Sequence, residues 1–114
     1  MKQVLLVRRD LNMRRGKEIA QGAHASLSAT LQNLDDERVH TWLQQGMAKI
    51  ALVVDSEEDL LKLTTKASEA GLITAVITDA GKTEFGGVPT RTVAAIGPDE
   101  RMKIDLITGH LKLR

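Results

Sequence analysis

The chain has 114 residues and a net charge of +1, enough for one hydrophobic core without staples, and residues 1–114 read as a single domain. The absence of cysteine excludes disulfides, a thiolate nucleophile and Cys-based zinc sites, and it permits a reducing cytoplasm. The longest apolar runs, such as Ile50-Ala-Leu-Val-Val54, are strand-length and far short of the roughly 20 residues of a membrane helix; with no signal-peptide pattern behind Met1, a soluble, cytoplasmic protein is expected.

The near-neutral total hides a segregation of sign. Residues 1–24 carry six Lys or Arg against two acids, residues 35–69 four against eight, and the remainder from Asp79 six against five. A basic face can therefore form although the sum is small.

Gln3-Val-Leu-Leu-Val7 is a short continuous apolar run, the pattern of a strand buried on both faces. From about Arg15 the period lengthens. Ala20, Ala23, Leu27, Leu31 and Leu34 recur at three and four residues, which predicts a helix with that stripe on the core. Asp35-Asp36 interrupts it, and Arg38 to Gln45, with Trp42 as a packing anchor, adds a further helical turn before Gly46. Lys49 to Val54 is a second buried strand. Ser56 followed by Glu57, Glu58 and Asp59 opens a helix with a capping hydroxyl and acids on the positive dipole end. Leu60, Leu63, Ala67 and Ala70 form its predicted buried stripe, and Gly71 stops it. Leu72 to Thr78 and Arg91 to Ile96 are the third and fourth strands, and Pro98-Asp-Glu100 opens a short last helix.

The predicted order is β-α-β-α-β-β-α. Two helical crossovers imply that the first three strands run parallel. The Gly-rich link after Thr78 has no helical period, which favours an antiparallel fourth strand reached by a functional loop. The expected fold is a three-layer α/β/α sandwich around a four-stranded mixed sheet, first three strands parallel and fourth antiparallel.

Asp79-Ala-Gly-Lys-Thr-Glu84 falls where a strand opens into that loop, the usual position of ligands in α/β domains. Lys17, Gln21, His24 and Ser28 share one face of the first helix, at the margin of the core. Gly22, Ala25 and Ala29 on the remaining face allow close approach of another surface. Lys17, in the first turn after a parallel strand, shares the carboxyl end of the sheet with Asp79. A carboxylate beside an ammonium stays ionised and can orient a water or accept from a substrate hydroxyl. Thr83 and Thr92 supply hydroxyls, Gly81, Gly86 and Gly87 allow backbone amides near an anion, and Arg8, Arg9, Arg14 and Arg15 can neutralise phosphates.

Taken singly, each has an ordinary reading: Asp79 a turn residue, Lys17 a solvated helix charge, the arginines a solvated face. Gly16-Lys17 lacks the glycine spacing of a nucleotide P-loop. His24 has the reference pKa nearest a general base but no acid or nucleophile partner in the sequence, so a partly buried, hydrogen-bonded helix residue is the simpler reading. His40 and His110 read as surface positions, and no cluster has metal-ligand spacing. Trp42 and Phe85, the latter a candidate exposed loop residue, are the only aromatics. Two aromatics argue against a platform that stacks successive bases, so any nucleic-acid contact is expected mainly through phosphates.

Lys2 to Val7, Asp10-Leu-Asn-Met13, Gly16-Lys17 and Ala20-Gln21 through His24-Ala25 resemble the opening signature of the archaeal and eukaryotic, or type 2, peptidyl-tRNA hydrolase family. The resemblance continues through Gly46 to Ile50, Ala70 to Leu72, Asp79 to Glu84, Thr92 to Pro98 and Thr108 to Leu113, in order along nearly the whole chain. It implies a single α/β domain, commonly a homodimer, that hydrolyses the ester joining a peptide to the terminal ribose of tRNA without metal or cofactor. Lys17, Asp79, Thr83 and Thr92 match the family's active-site positions, and Gln21 and His24 its helix signature. Arg9, Arg14, Arg15, Lys82 and Thr90 complete the expected substrate-binding set. The chain departs from the family pattern at Arg9, at Glu18-Ile19 and in a loop about one residue longer through Phe85 to Pro89, which leaves Thr90 and Thr92 to be told apart. The alternative reading is a catalytically altered relative that binds tRNA or protein without turnover.

Overall fold

A computed structural model describes residues 1–81 and 85–114. Among them are four strands, β1 (Lys2–Arg8), β2 (Lys49–Val54), β3 (Thr74–Asp79) and β4 (Thr90–Asp99), and four α-helices, α1 (Arg15–Leu31), α2 (Glu37–Gln44), α3 (Glu57–Glu69) and α4 (Arg101–Thr108). They form a mixed sheet in the order β2-β1-β4-β3 with helices on both faces.

Among these strands only β1 and β2 form a parallel ladder. The predicted parallel trio is corrected in its pairing, because β4 enters between β1 and β3 and is antiparallel to both. The cause is in β4 itself: Thr92 to Asp99 are all buried, a run that needs cover on both faces and on both edges. β3 exposes Val76 and Thr78 and takes the outer position. Two antiparallel steps bring its carboxyl end to the edge where β1 ends.

The sheet divides the core. Val4, Leu6, Ala94 and Ile96 pack under α3 and α4 through Leu60, Ala67, Ile104 and Ile107. On the other face Val7, Ile73, Ala75, Val93 and Ala95 pack under α1 and α2 through Ala25, Ala29 and Val39. Burying a side chain such as Leu6 or Ile96 stabilises the fold by about 1.5–3 kcal/mol.

The helices correct the sequence reading in three places. The first predicted helix and its further turn are two helices, because the Asp36 carboxylate accepts from the Arg38 amide and caps α2 as a new start. The apolar stripe of α1 faces away from the sheet: Ala20, Ala23, Leu27 and Leu31, with Leu34 beyond the helix, are exposed. Gly22, Ala25 and Ala29 are buried instead, because a helix lying close on the sheet leaves room there only for small side chains, and Gln21 is buried where it meets the Thr92 hydroxyl. The surface expected to approach those small residues is the sheet itself. Finally, Pro98 and Asp99 end β4, and α4 starts after Glu100.

Elsewhere the pattern is as read except at Ala70 and Phe85. The Ser56 hydroxyl accepts from the Asp59 amide at the start of α3, and the buried Trp42 donates from Nε1 to the Ala48 carbonyl. Ala70, placed in the buried stripe of α3, is exposed at its C-cap. Phe85 is half-buried against the core beneath α1 rather than an exposed loop residue.

Candidate functional site

Along β3 the residues facing α1 are Ile73, just before the strand, then Ala75 and Ile77. Period two extends that row to Asp79 at the strand's carboxyl end. Lys17 comes from the first turn of α1 above the same edge, and its Nζ donates to Asp79 Oδ1 at 2.7 Å. The Gly81 amide donates to Asp79 Oδ2 at 2.9 Å. Gly81 has φ +79°, and a Cβ there would sit 2.5 Å from the Val88 carbonyl oxygen, so the turn that places this amide requires glycine. The amide expected to meet a bound anion instead holds the site's own carboxylate.

The two side chains retain 18% and 14% of their exposure, so the pair is held but solvent reaches it. The Lys17 ammonium, and after it the Gly81 amide, hold the Asp79 carboxyl below the ordinary carboxylate range. His24 adds to the same effect from the next turns of α1, and its side chain is exposed rather than partly buried as its place at the core margin suggested. Asp79 is thus ionised at neutral pH.

Gln21, one turn beyond Lys17, is buried and accepts from the Thr92 hydroxyl at 2.5 Å. Thr92 is itself fully buried. A β-bulge brings them together: Ile77 pairs with Val93 but Thr78 with Arg91, so Thr92 is the extra residue of β4. Val93 and Ala95 face α1, and strict alternation would turn Thr92 to the opposite face. The bulge turns it back toward Gln21. Periodicity alone does not reveal that feature. Thr90, paired with Asp79 on β3, donates to the Val88 carbonyl and makes no contact with Gln21 among the described residues.

The basic residues divide as well. Arg9 binds Asp55 at 2.6 Å, with both side chains more than half exposed. Arg8 is buried, clamps Asp10 and donates to the Arg91 carbonyl at 2.9 Å, which gives it a structural task. Arg14 and Arg15, exposed at the start of α1, form no ion pair among the described residues. Glu18 is bound by the Arg114 guanidinium at 2.8 Å, so the acid next to Lys17 is neutralised by another partner. Lys82 and Thr83, both expected at the site, lie outside the described residues. Among the described residues no three His, Cys, Asp or Glu side chains gather as a metal ligand set.

The arrangement is an accessible carboxylate–ammonium pair on the edge where β1 and β3 end, flanked by a buried amide–hydroxyl pair and the exposed Arg14 and Arg15. A family model described as peptidyl-tRNA hydrolase PTH2 matches residues 1–114. The chain belongs to the peptidyl-tRNA hydrolase PTH2 family. It is 44% identical over 115 residues to the peptidyl-tRNA hydrolase of Methanocaldococcus jannaschii, with 99% of each chain covered. The peptidyl-tRNA hydrolase of Nanoarchaeum equitans is also 44% identical over 115 residues, covering 99% of this chain and 98% of its own. The probable peptidyl-tRNA hydrolase 2 of Dictyostelium discoideum is 42% identical over 98% of this chain, which spans 54% of that longer protein.

A groove of about 630 Å³ lies between α1, α2 and the β1–β2 edge, lined by Leu5, Ile19, Leu27, Trp42, Leu43 and Met47 among others. Lys17, Gln21, Asp79 and Thr92 take no part in it. Among the described residues no helix is long and apolar enough to cross a membrane.

Proposed function

We propose that the chain hydrolyses the ester of peptidyl-tRNA through a water held at Asp79. The observation that carries this reading is the 2.7 Å contact of Lys17 with Asp79 on an accessible sheet edge. Lys17 donates one proton of its ammonium to Asp79, which leaves two for the substrate. Asp79 uses one site on each oxygen and keeps others to accept from water. The water oxygen attacks the ester carbonyl, and Lys17 stabilises the oxyanion that develops. Collapse of the tetrahedral intermediate expels the ribose oxygen, which takes up the proton released by the attacking water, and frees the peptide acid and the tRNA. Because the carboxyl of Asp79 is held acidic, it orients and polarises the water rather than acting as a strong base. Thr83, two residues beyond Gly81, is assigned to the same water on the strength of the family resemblance alone.

Arg14 and Arg15 are assigned to tRNA phosphates, with Lys82 as a further contact and His24 at the substrate margin. Arg9, already paired with Asp55, is a weaker candidate. The 114 residues are proposed to act as one cytoplasmic domain and to assemble as a homodimer through the exposed stripe of α1 and its groove. Exposed Ile19, Leu27 and Leu31 form the kind of apolar patch a soluble protein covers, and a two-fold axis would place the patch against itself.

Turnover of an N-blocked aminoacyl-tRNA tests the reaction. Release of intact tRNA is expected, with Asp79→Ala and Lys17→Ala each lowering kcat/KM by about 100-fold or more while the variants remain folded. Full activity in either variant would remove that residue from the site. Salt-sensitive tRNA binding without any turnover by the unaltered chain would replace the enzyme with a binding module.

A further inference from the structure

Thr92 matches an active-site position of the family, yet it is fully buried and its hydroxyl is directed into the protein. The direction of the bond it makes follows from hydrogen-bond accounting. A hydroxyl both donates and accepts, and a Gln amide has one end of each kind. Among the described residues Thr92 Oγ1 has Gln21 as its one partner. Were the amide turned so that Nε2 met Thr92, the hydroxyl proton would be a buried donor without an acceptor, which is costly. With Oε1 inward the proton is satisfied, and among the described residues no buried side-chain nitrogen or oxygen is left without a partner. Nε2 meets no acceptor among the described residues, and it belongs to a side chain on the Lys17 face of α1.

We propose that Thr92 is a positioning residue rather than a group in contact with substrate: it locks the Gln21 amide so that Nε2 faces the Lys17–Asp79 site and donates to a carbonyl oxygen of the bound peptidyl ester. The bulge at Thr92 serves this arrangement by turning its hydroxyl to the α1 side of the sheet. Gln21 is then the residue that touches substrate. The inference rests on the hydrolase reading above and specifies the part taken by two of its residues.

A double-mutant cycle with Thr92→Val and Gln21→Met, both close in shape to the originals, tests it on the same N-blocked aminoacyl-tRNA. Each single change is expected to lower kcat by about 10- to 100-fold with KM within about twofold, and the double variant to be no slower than the slower single one. Thr92→Ser, which keeps the hydroxyl, should return kcat to within about threefold of the unaltered chain. Stability should follow another course: each single variant loses thermal stability by leaving one buried polar group unpaired, and the double recovers part of it without recovering kcat. Independent, multiplying losses in kcat would put Thr92 itself on the substrate and overturn the proposal. So would Thr92→Val that unfolds earlier but turns over normally, because the contact would then be structural alone. If the valine variant does not fold, a serine variant with depressed kcat at unchanged stability overturns the proposal equally. Lack of turnover by the unaltered chain would sink the hydrolase reading and this inference together, whereas turnover with an additive cycle sinks this inference alone.

Discussion

Asp79 has both carboxylate oxygens engaged before any substrate arrives, one by Lys17 and one by Gly81. Its folded pKa is lowered, so the sign is that of an acid stabilised in its charged form. The pair is intact above the ordinary carboxylate range and is lost as pH falls through the lowered native value. Turnover is therefore expected to show no acid limb from Asp79 between neutrality and about pH 5. Lys17→Ala removes the main cause of the lowering, and the acid limb of its residual activity should move to higher pH. A pH–rate profile of both proteins checks this, and an unmoved limb would assign it to another group.

Helix α1 carries two faces with opposite assignments. Its sheet face is made of small residues, and a Cβ added at Gly22 would meet only the end of Leu5 at 3.5 Å, an ordinary contact. Gly22→Ala should therefore keep the packing, gain helix propensity and stabilise the fold by about 0.5–1 kcal/mol, read from chemical denaturation. A loss of stability would mean that α1 lies closer to β1 than this contact indicates. The outer face carries Leu27, 57% exposed, and Leu31, 55% exposed. If the proposed homodimer forms through this face, Leu27→Glu leaves the monomer folded and shifts the sedimentation equilibrium from dimer to monomer. A dimer unaffected by that change would place the interface elsewhere.

For the molecule as a whole, Arg38 is a tie between distant parts. Its guanidinium binds Asp36 at 2.7 Å, Asp99 at the end of β4 at 2.8 Å and the Gly71 carbonyl at 2.9 Å. It thereby joins the start of α2, the end of the central strand and the turn after α3. The Arg38 side chain and then its backbone amide lower the pKa of Asp36, and the carboxylates raise that of Arg38. The contribution of Asp36 is present above about pH 4 and is lost as pH falls through its lowered native value. Acid unfolding followed by circular dichroism should show this, and Asp36→Asn should flatten the dependence of stability on pH in that window. An unchanged slope would mean that other carboxylates govern acid stability.

Local chemistry marked the strands, the cap at Ser56, the turn at Gly71 and the residues Lys17 and Asp79, because short apolar runs and hydroxyl caps act through near neighbours. The resemblance of ordered motifs supplied the family. Three features needed the tertiary structure. Strand order depended on which strand most needed cover on both faces, and that was β4. The inner face of α1 depended on how near the sheet allowed the helix to come, so small residues displaced the leucines that hydrophobic period alone favours. The pairing of Thr92 with Gln21 depended on a bulge that inverts alternation at a single position. Period and composition are properties of neighbours along the chain, whereas close approach and strand register are settled only by residues that meet from far apart in it.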